Sequence, residues 1–321
     1  MQETRRRVLD ALADGPVTGP ALADELGVSR AAVWKHVEAL REAGFTVESG
    51  DEGYVLAGVP DYGAPAIEYT IDAAYAVEFH DALDSTNRRA RELAAEGAGD
   101  VAVVAGRQTG GRGRLDREWA SPPGGVYVSL LLRPAVPPAH APVYTLAAAV
   151  ATADAVDGLI EDDVRIKWPN DVLAVDGASE RKLAGILTEM EGEADRVSWL
   201  VVGVGVNANV DEGALPPGGT SLQARRRAAG RSPVAVSRRE LLAALLDRFE
   251  ELTGDLDAVV PVWRERANTL GRRVRVETPD GPVEGEAVDV EFPGTLVVRA
   301  DDGTEVQVTA GDCEHLRPAA E

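Results

Sequence analysis

Gly106-Arg-Gln-Thr-Gly-Gly-Arg-Gly-Arg-Leu-Asp-Arg-Glu-Trp119 follows the apolar, strand-like run Val101–Ala105. Gly111 and Gly113 alternate with Arg112 and Arg114, which predicts a backbone free to take positive φ and two guanidinium forks aimed at whatever the loop closes over. Guanidinium groups pair bidentately with carboxylate or phosphate oxygens, each charge-assisted hydrogen bond being worth roughly 1.5–3 kcal/mol. A glycine-rich loop can also turn its own N–H groups toward the same anion. A solvated hairpin loop would carry the same letters, so the stretch alone leaves both readings open.

Upstream, Asp84-Ser85-Thr86-Asn87 precedes a helical pattern over residues 88–96. Ser85 or Asp84 is expected to cap that helix, and capping by itself accounts for Ser85. Thr86 and Asn87 at the same positive helix end would also suit a polar ligand. Downstream, residues 125–133 alternate as a strand, and residues 143–159 form a long alanine-rich helix expected to be buried. Next comes Val164-Arg-Ile-Lys-Trp-Pro-Asn-Asp171, with Val164, Ile166 and Trp168 on one strand face and Arg165 and Lys167 on the other. Pro169 starts a turn that presents Asn170 and Asp171. An ordinary turn would explain those two, but not a lysine beside them in a chain whose other lysines are Lys35 and Lys182 alone.

Lys182 opens the apolar run Lys-Leu-Ala-Gly-Ile-Leu187, on the face that strict alternation shares with Ala184 and Ile186. An ammonium there is partly desolvated and attracts an anion more strongly than at the surface. In the run 201–207, Val202, Val204 and Val206 predict a packed face, while Gly203 and Gly205 leave the other bare for a flat ligand, with Asn207 at its end. Gly203-Val-Gly-Val-Asn-Ala208 matches a dinucleotide fingerprint in outline, but residues 211–219 are rich in proline and glycine and open no helix. Helices are expected over residues 237–253 and 256–267. Beyond Gly271, four short alternating runs, 274–276, 283–290, 295–299 and 305–308, read as a small barrel of the SH3 type.

Residues 5–57 read as a separate module: helices over 5–14, 20–26 and 30–43, then a hairpin from 45–48 and 54–56. This is the order of a winged helix-turn-helix, whose third helix would bring Ser29, Arg30, Ala31, Trp34 and Lys35 to a DNA groove. The module carries six bases against ten acids up to Ala57, and Asp51-Glu52 at the wing tip, which is also what a protein-interaction module of the same shape would show. Val59 to Pro65, with two prolines and a glycine, is expected to be a linker.

The whole chain of 321 residues has 54 acids against 33 bases, a net charge of −21. Such a surface suits concentrated salt, where the Debye length is about 3 Å, so a halophilic host is expected. Nothing resembles an export signal or a membrane span, which predicts a cytoplasmic protein. The single Cys313 allows no internal disulfide and no cysteine metal cluster.

These motifs in this order resemble the bifunctional biotin protein ligases nearly end to end. The resemblance rests on Ser29-Arg-Ala-Ala-Val-Trp-Lys-His36, Ser85-Thr-Asn87, Gln108 with Gly111-Arg-Gly-Arg114 and Trp119, Lys167-Trp-Pro-Asn-Asp171, Arg181-Lys-Leu-Ala-Gly-Ile-Leu187, and Gly203-x-Gly205-x-Asn207. It implies an α/β protein with a winged helix-turn-helix (residues 1–58), a class II synthetase-like α+β ligase domain (66–270) and an SH3-like C-terminal barrel (271–321). The implied chemistry is a two-step ligation. Biotin's carboxylate attacks the α-phosphate of ATP with Mg²⁺, and a carrier lysine then attacks the acyl-adenylate. Neither step needs a nucleophilic side chain or a bound prosthetic group. Lys182, Arg112 and Arg114 would serve the reaction. Ser85, Thr86, Asn87, Gln108, Gly113, Gly185, Gly203 and Gly205, with those three, would hold biotin. Lys167, Asn170, Asn207 and Trp119 would hold ATP, and Asp171 the Mg²⁺. The implied partners are a biotin carboxyl carrier domain, operator DNA and, in the adenylate-bound state, a second copy of the chain. The ending Gly311-Asp-Cys-Glu-His-Leu-Arg317 matches the family only loosely, and no role is assigned to Arg317. The alternatives are a lipoate-attaching ligase, which shares the fold without this Gly-Arg-Gly-Arg loop, and a ligand-sensing transcription factor without ATP chemistry.

Overall fold

Two hydroxyl caps organise the start of the chain. Thr18 accepts the N–H of Ala21 at 3.3 Å and Ser29 that of Ala32 at 3.2 Å, starting two of the first three helices. In the computed structural model, which describes residues 1–231 and 234–316, these are α1 (Glu3–Ala13), α2 (Gly19–Leu26) and α3 (Arg30–Glu42). Gly27, at φ 66°, ends α2 in the left-handed conformation that glycine adopts without strain. The hairpin β1 (Thr46–Gly50) and β2 (Gly53–Gly58) completes the winged motif, around a core that includes Val8, Leu12, Leu22, Val37, Leu40 and Phe45. Arg317 lies outside the described residues.

The stretch expected to be a linker is partly helical. α4 (Ala64–Thr70) carries Pro65 in its first turn, which the fixed φ of proline suits, and belongs to the compact unit of residues 1–71. Arg6 donates to the carbonyls of Glu68 and Ile71 at 3.2 and 3.3 Å, and Tyr69 packs edge-on against Phe45 at 5.9 Å. The prolines and the glycine that suggested a linker are confined to its entry.

The second unit, residues 72–321, is built on a seven-stranded sheet. Its elements begin with β3 (Ala76–His80), α5 (Thr86–Ala95), β4 (Val101–Ala105), β5 (Val126–Leu132) and α6 (Ala141–Val156). They continue with β6 (Asp163–Lys167), β7 (Asp171–Asp176), β8 (Ser179–Gly192), β9 (Val197–Val206), α7 (Leu222–Ala228), α8 (Arg238–Thr253) and α9 (Val259–Glu265). The order is β3-β4-β5-β9-β8-β7-β6, antiparallel except for the parallel pair β3–β4. α6 is apolar on every side and buried as expected, Leu146, Ala148, Ala149 and Val150 being at or near zero exposure.

The C-terminal strands form a second, all-antiparallel sheet: β10 (Arg273–Thr278), β11 (Gly281–Glu291), β12 (Thr295–Arg299), β13 (Glu305–Val308) and β14 (Asp312–His315), in the order β13-β12-β11-β10-β14. β14 escapes sequence reading because Cys313 is its one buried side chain in a run of polar residues. Trp168 ties this sheet to the larger one. Buried to 2% exposure, it donates Nε1–H to the Gly294 carbonyl at 2.9 Å, while its backbone N–H donates to Thr269 Oγ1 at 2.9 Å.

Candidate functional site

The arginine loop is a small hairpin, not a freely turning glycine segment. Trp119 N–H donates to the Gly111 carbonyl at 3.0 Å, and Gly113 N–H to that of Arg117 at 2.8 Å. Gly113 sits at an ordinary φ of −105°, and the left-handed residue at the tip is Leu115, at φ 55°. The glycines therefore serve closeness more than backbone freedom: a Cβ on Gly111 would lie 2.6 Å from both Ser121 Oγ and the Trp119 carbonyl. Arg114 is held in place, with Nη2 donating to the Gly311 carbonyl at 2.7 Å and Nη1 to Asn170 Oδ1 at 3.3 Å. Its neighbour Arg117 pairs with Asp312 at 2.5 Å. Two ends of the second unit thus meet at the loop.

At the start of α5, Ser85 caps the helix, and a buried polar network follows. Gln108 Oε1 accepts the Thr86 backbone N–H at 2.8 Å, and Gln108 Nε2 donates to Ser121 Oγ at 2.9 Å. Asn87 Nδ2 donates to Glu189 Oε2 at 2.7 Å, while its Oδ1 accepts from Ser129 Oγ at 2.6 Å. Ser129 also lies 2.7 Å from Thr86 Oγ1 and is wholly buried. Sequence reading missed Ser129 and Glu189. The available signal was one serine in the otherwise apolar and aromatic run Val126–Leu132 and the first acid of β8 after Leu187.

Lys182 reaches the site through an irregularity. The β7–β8 register slips between Val172 and Leu173, so that Val172 faces Ala184 while Leu173 faces Lys182. Leu183 is the extra residue, and the bulge reverses the alternation that would have grouped Lys182 with Ala184 and Ile186. Lys182 instead shares a face with Gly185, where an added Cβ would lie 3.2 Å from Lys182 Cε. Its Nζ sits 2.6 Å from Asp171 Oδ1 and 5.2 Å from the Trp119 ring centroid, a cation–π distance.

The bare face of β9 is covered by the protein's own side chains. A Cβ on Gly205 would collide with the Trp119 indole, and one on Gly203 with Asn87 Oδ1. The indole thus lies on the glycine floor and narrows the space left for a ligand. Around it opens a cavity of about 400 Å³. Ser85, Thr86, Asn87 and Gln108 line it, as do Arg112, Gly113, Arg114, Trp119, Asn170, Asp171, Lys182, Gly185, Gly203, Gly205 and Asn207. Residues 215–219 close another side, held by Lys182 N–H donating to the Gly218 carbonyl at 2.8 Å. Two buried polar atoms of lining residues, Trp119 Nε1 and Asn207 Oδ1, have no hydrogen-bond partner within the protein.

Lys167, expected to hold ATP, is not among the residues that line the cavity: β6 is the outermost strand, with β7 and β8 between it and the glycine floor of β9. Its charge acts instead on Cys313 and His315 of β14. Asp171 lines the cavity but spends its carboxylate on Lys182, and among the described residues no group of three or more acids, histidines or cysteines gathers to hold a metal. In the first unit, Ser29 caps α3 while Arg30, Ala31, Trp34 and Lys35 stand exposed on its N-terminal half, Trp34 at 56%.

The bifunctional ligase/repressor BirA of Bacillus subtilis strain 168 is 34% identical over 314 residues that span 93% of each chain. The chain belongs to this bifunctional biotin ligase/repressor family. The family's namesake in Escherichia coli K12 is 32% identical over 92% of each chain. Three family models match in order: an HTH domain at residues 4–55, the biotin/lipoate A/B protein ligase family at 80–207 and the biotin protein ligase C-terminal domain at 269–316. Among solved structures, the biotin protein ligase from Aquifex aeolicus in complex with biotin and ATP aligns with a TM-score of 0.61 at 26% identity, covering 75% of this chain and 99% of that one. Among the described residues no helix is long and apolar enough to cross a membrane.

Proposed function

We propose that this protein activates biotin with ATP to biotinyl-5′-adenylate, transfers biotin to a lysine of a biotin carboxyl carrier domain, and represses transcription through its first unit. The observation that carries the reading is that one cavity joins the Ser85-Thr86-Asn87-Gln108 network to Lys182 and the arginine loop. The uncharged network suits a ureido ring, and the Trp119 indole with Gly203 and Gly205 suits an apolar bicycle. Lys182 then lies where the carboxylate would meet the α-phosphate, and its ammonium offsets the negative charge that builds there. Asn170 and Asn207, which line the cavity, are proposed ATP contacts. Mg²⁺ is proposed to enter as the counter-ion of ATP. The acids of the cavity do not form a resident site for it, and no step is assigned to it. The test is pyrophosphate release with biotin and MgATP, then label transfer to a carrier domain. Release with lipoate and not biotin would favour a lipoate ligase, and no release with either would favour a pure sensor.

Arg114 and Arg112 are proposed to close over the adenylate and keep water from it. Replacing Arg114 with glycine removes its bonds to Gly311 and Asn170. Since charge-assisted bonds are worth roughly 1.5–3 kcal/mol each, the adenylate should escape about ten- to a hundredfold faster. Bystander proteins would then be labelled. A variant that still carries its adenylate through gel filtration would remove the lid role.

Repression is proposed to require the adenylate-bound form as a homodimer, with α3 reading the operator through Arg30, Ala31, Trp34 and Lys35. Fluorescence anisotropy of labelled DNA from upstream of biotin-synthesis genes should rise only when biotin and MgATP are both present. Equal binding without them would disconnect the reader from the catalytic intermediate. A cytoplasmic, salt-rich setting is proposed from the charge of −21 and the scarcity of lysine. Ligase activity should then be higher in about 2 M KCl, where the Debye length is only a few ångströms, than in dilute buffer; the reverse order would reject a halophilic host.

A further inference from the structure

A second cavity, of about 210 Å³, adjoins the first and shares Arg112 and Arg114 with it as a common wall. Its outer side is formed by Arg88 and Arg91, one helical turn apart on α5, and by Leu115 at the loop tip. Four arginines thus line one small cavity whose only acidic lining residue is Glu189, in a chain whose net charge is −21. Glu189 is already engaged by Asn87 and Arg91, and Arg88 pairs with Asp84. Both arginine pairs are half-exposed, 47% for Arg88 and 42% for Arg91, where solvent weakens an ion pair and a second carboxylate can exchange for the first. Leu115 adds an apolar surface at 69% exposure beside them.

We propose that this cationic cavity docks an acidic segment of the biotin-accepting carrier, next to the acceptor lysine. The inference rests on the ligase reading above. The second cavity shares the arginine loop with the first, so a carrier segment seated there lies beside the place where the adenylate is made. In dilute buffer a surface of strong negative charge repels an acidic partner except at such a focus of positive potential, and in concentrated salt the focus acts through direct guanidinium–carboxylate contacts, which set orientation. Exposed arginines beside one apolar residue also match the composition of protein interfaces better than that of a small-anion pocket. Arg88 and Arg91 select the carrier, while the groups of the first cavity make the adenylate.

The experiment separates the two half-reactions. Wild-type protein is first assayed for biotin-dependent pyrophosphate release; failure there would end the ligase reading itself, whatever the carrier does. Arg88→Gln, Arg91→Gln and the double variant are then compared using a purified biotin carboxyl carrier domain. The double variant should release pyrophosphate at the wild-type rate, with KM for the carrier raised about tenfold and kcat kept. The difference should shrink as salt is added, and should shrink again on a carrier whose carboxylates flanking the acceptor lysine have been changed to amides. An unchanged carrier KM would overturn the proposal. So would a raised KM for ATP, which would place phosphate in the cavity, or a raised KM for biotin in Arg91→Gln, which would show Arg91 acting only through Glu189 and Asn87.

Discussion

Lys182→Ala is expected to slow pyrophosphate release from biotin and ATP by about a hundred- to a thousandfold, the usual cost of removing one preorganised group that stabilises transition-state charge. The geometry makes the lysine hard to replace. The Leu183 bulge turns it onto the glycine floor, Asp171 fixes Nζ at 2.6 Å, and the Trp119 face lies 5.2 Å away. Lys182 is only about one-third exposed, so its charge is incompletely screened by water. The loss should fall on the rate of adenylate formation, with an unfolding midpoint close to that of the parent. Near-normal pyrophosphate release by a folded variant would refute the role given to this lysine.

Gly205→Val should abolish measurable biotin binding, weakening it by more than about a hundredfold. A Cβ at this position already collides with the Trp119 indole, and two γ-methyls would drive the ring off the floor. The cavity would lose its aromatic wall and Lys182 its cation–π neighbour. A displaced wall is worth several contacts at once, and loss of about 2.7 kcal/mol corresponds to a hundredfold in affinity. Valine suits a central strand, so β9 should persist and the melting temperature should change little. Calorimetric titration with biotin checks this, and an affinity within a few-fold of the parent would show that the indole is not part of the binding surface.

The members of the site were legible one by one because each motif carries chemistry in short range. Ser85-Thr86-Asn87 advertises a helix cap, Pro169-Asn170-Asp171 a turn, and Lys182 stands out because lysine is so scarce. Lys167 drew attention for the same reason, yet it turns toward β14, since scarcity says nothing about which strand is outermost. Ser129 and Glu189 were invisible because their roles are to brace other side chains across the sheet, 42 and 102 residues away from Asn87. The helix α4 was hidden by the prolines at its entry.

The order of modules, the strand and helix periods, the polar and cationic inventory and the glycine floor follow from the chain alone, since each depends on neighbours within one or two turns. Three decisions belonged to the tertiary structure. Alternation assigns a strand's faces only while the strand is regular, and the single extra residue at Leu183 moved Lys182 to the opposite face from the expected one. The bare strip of β9 was receptive to any flat group, and long-range packing filled part of it with Trp119. The reach of Arg114 to Gly311 spans 197 residues of sequence, a distance over which no local pattern acts.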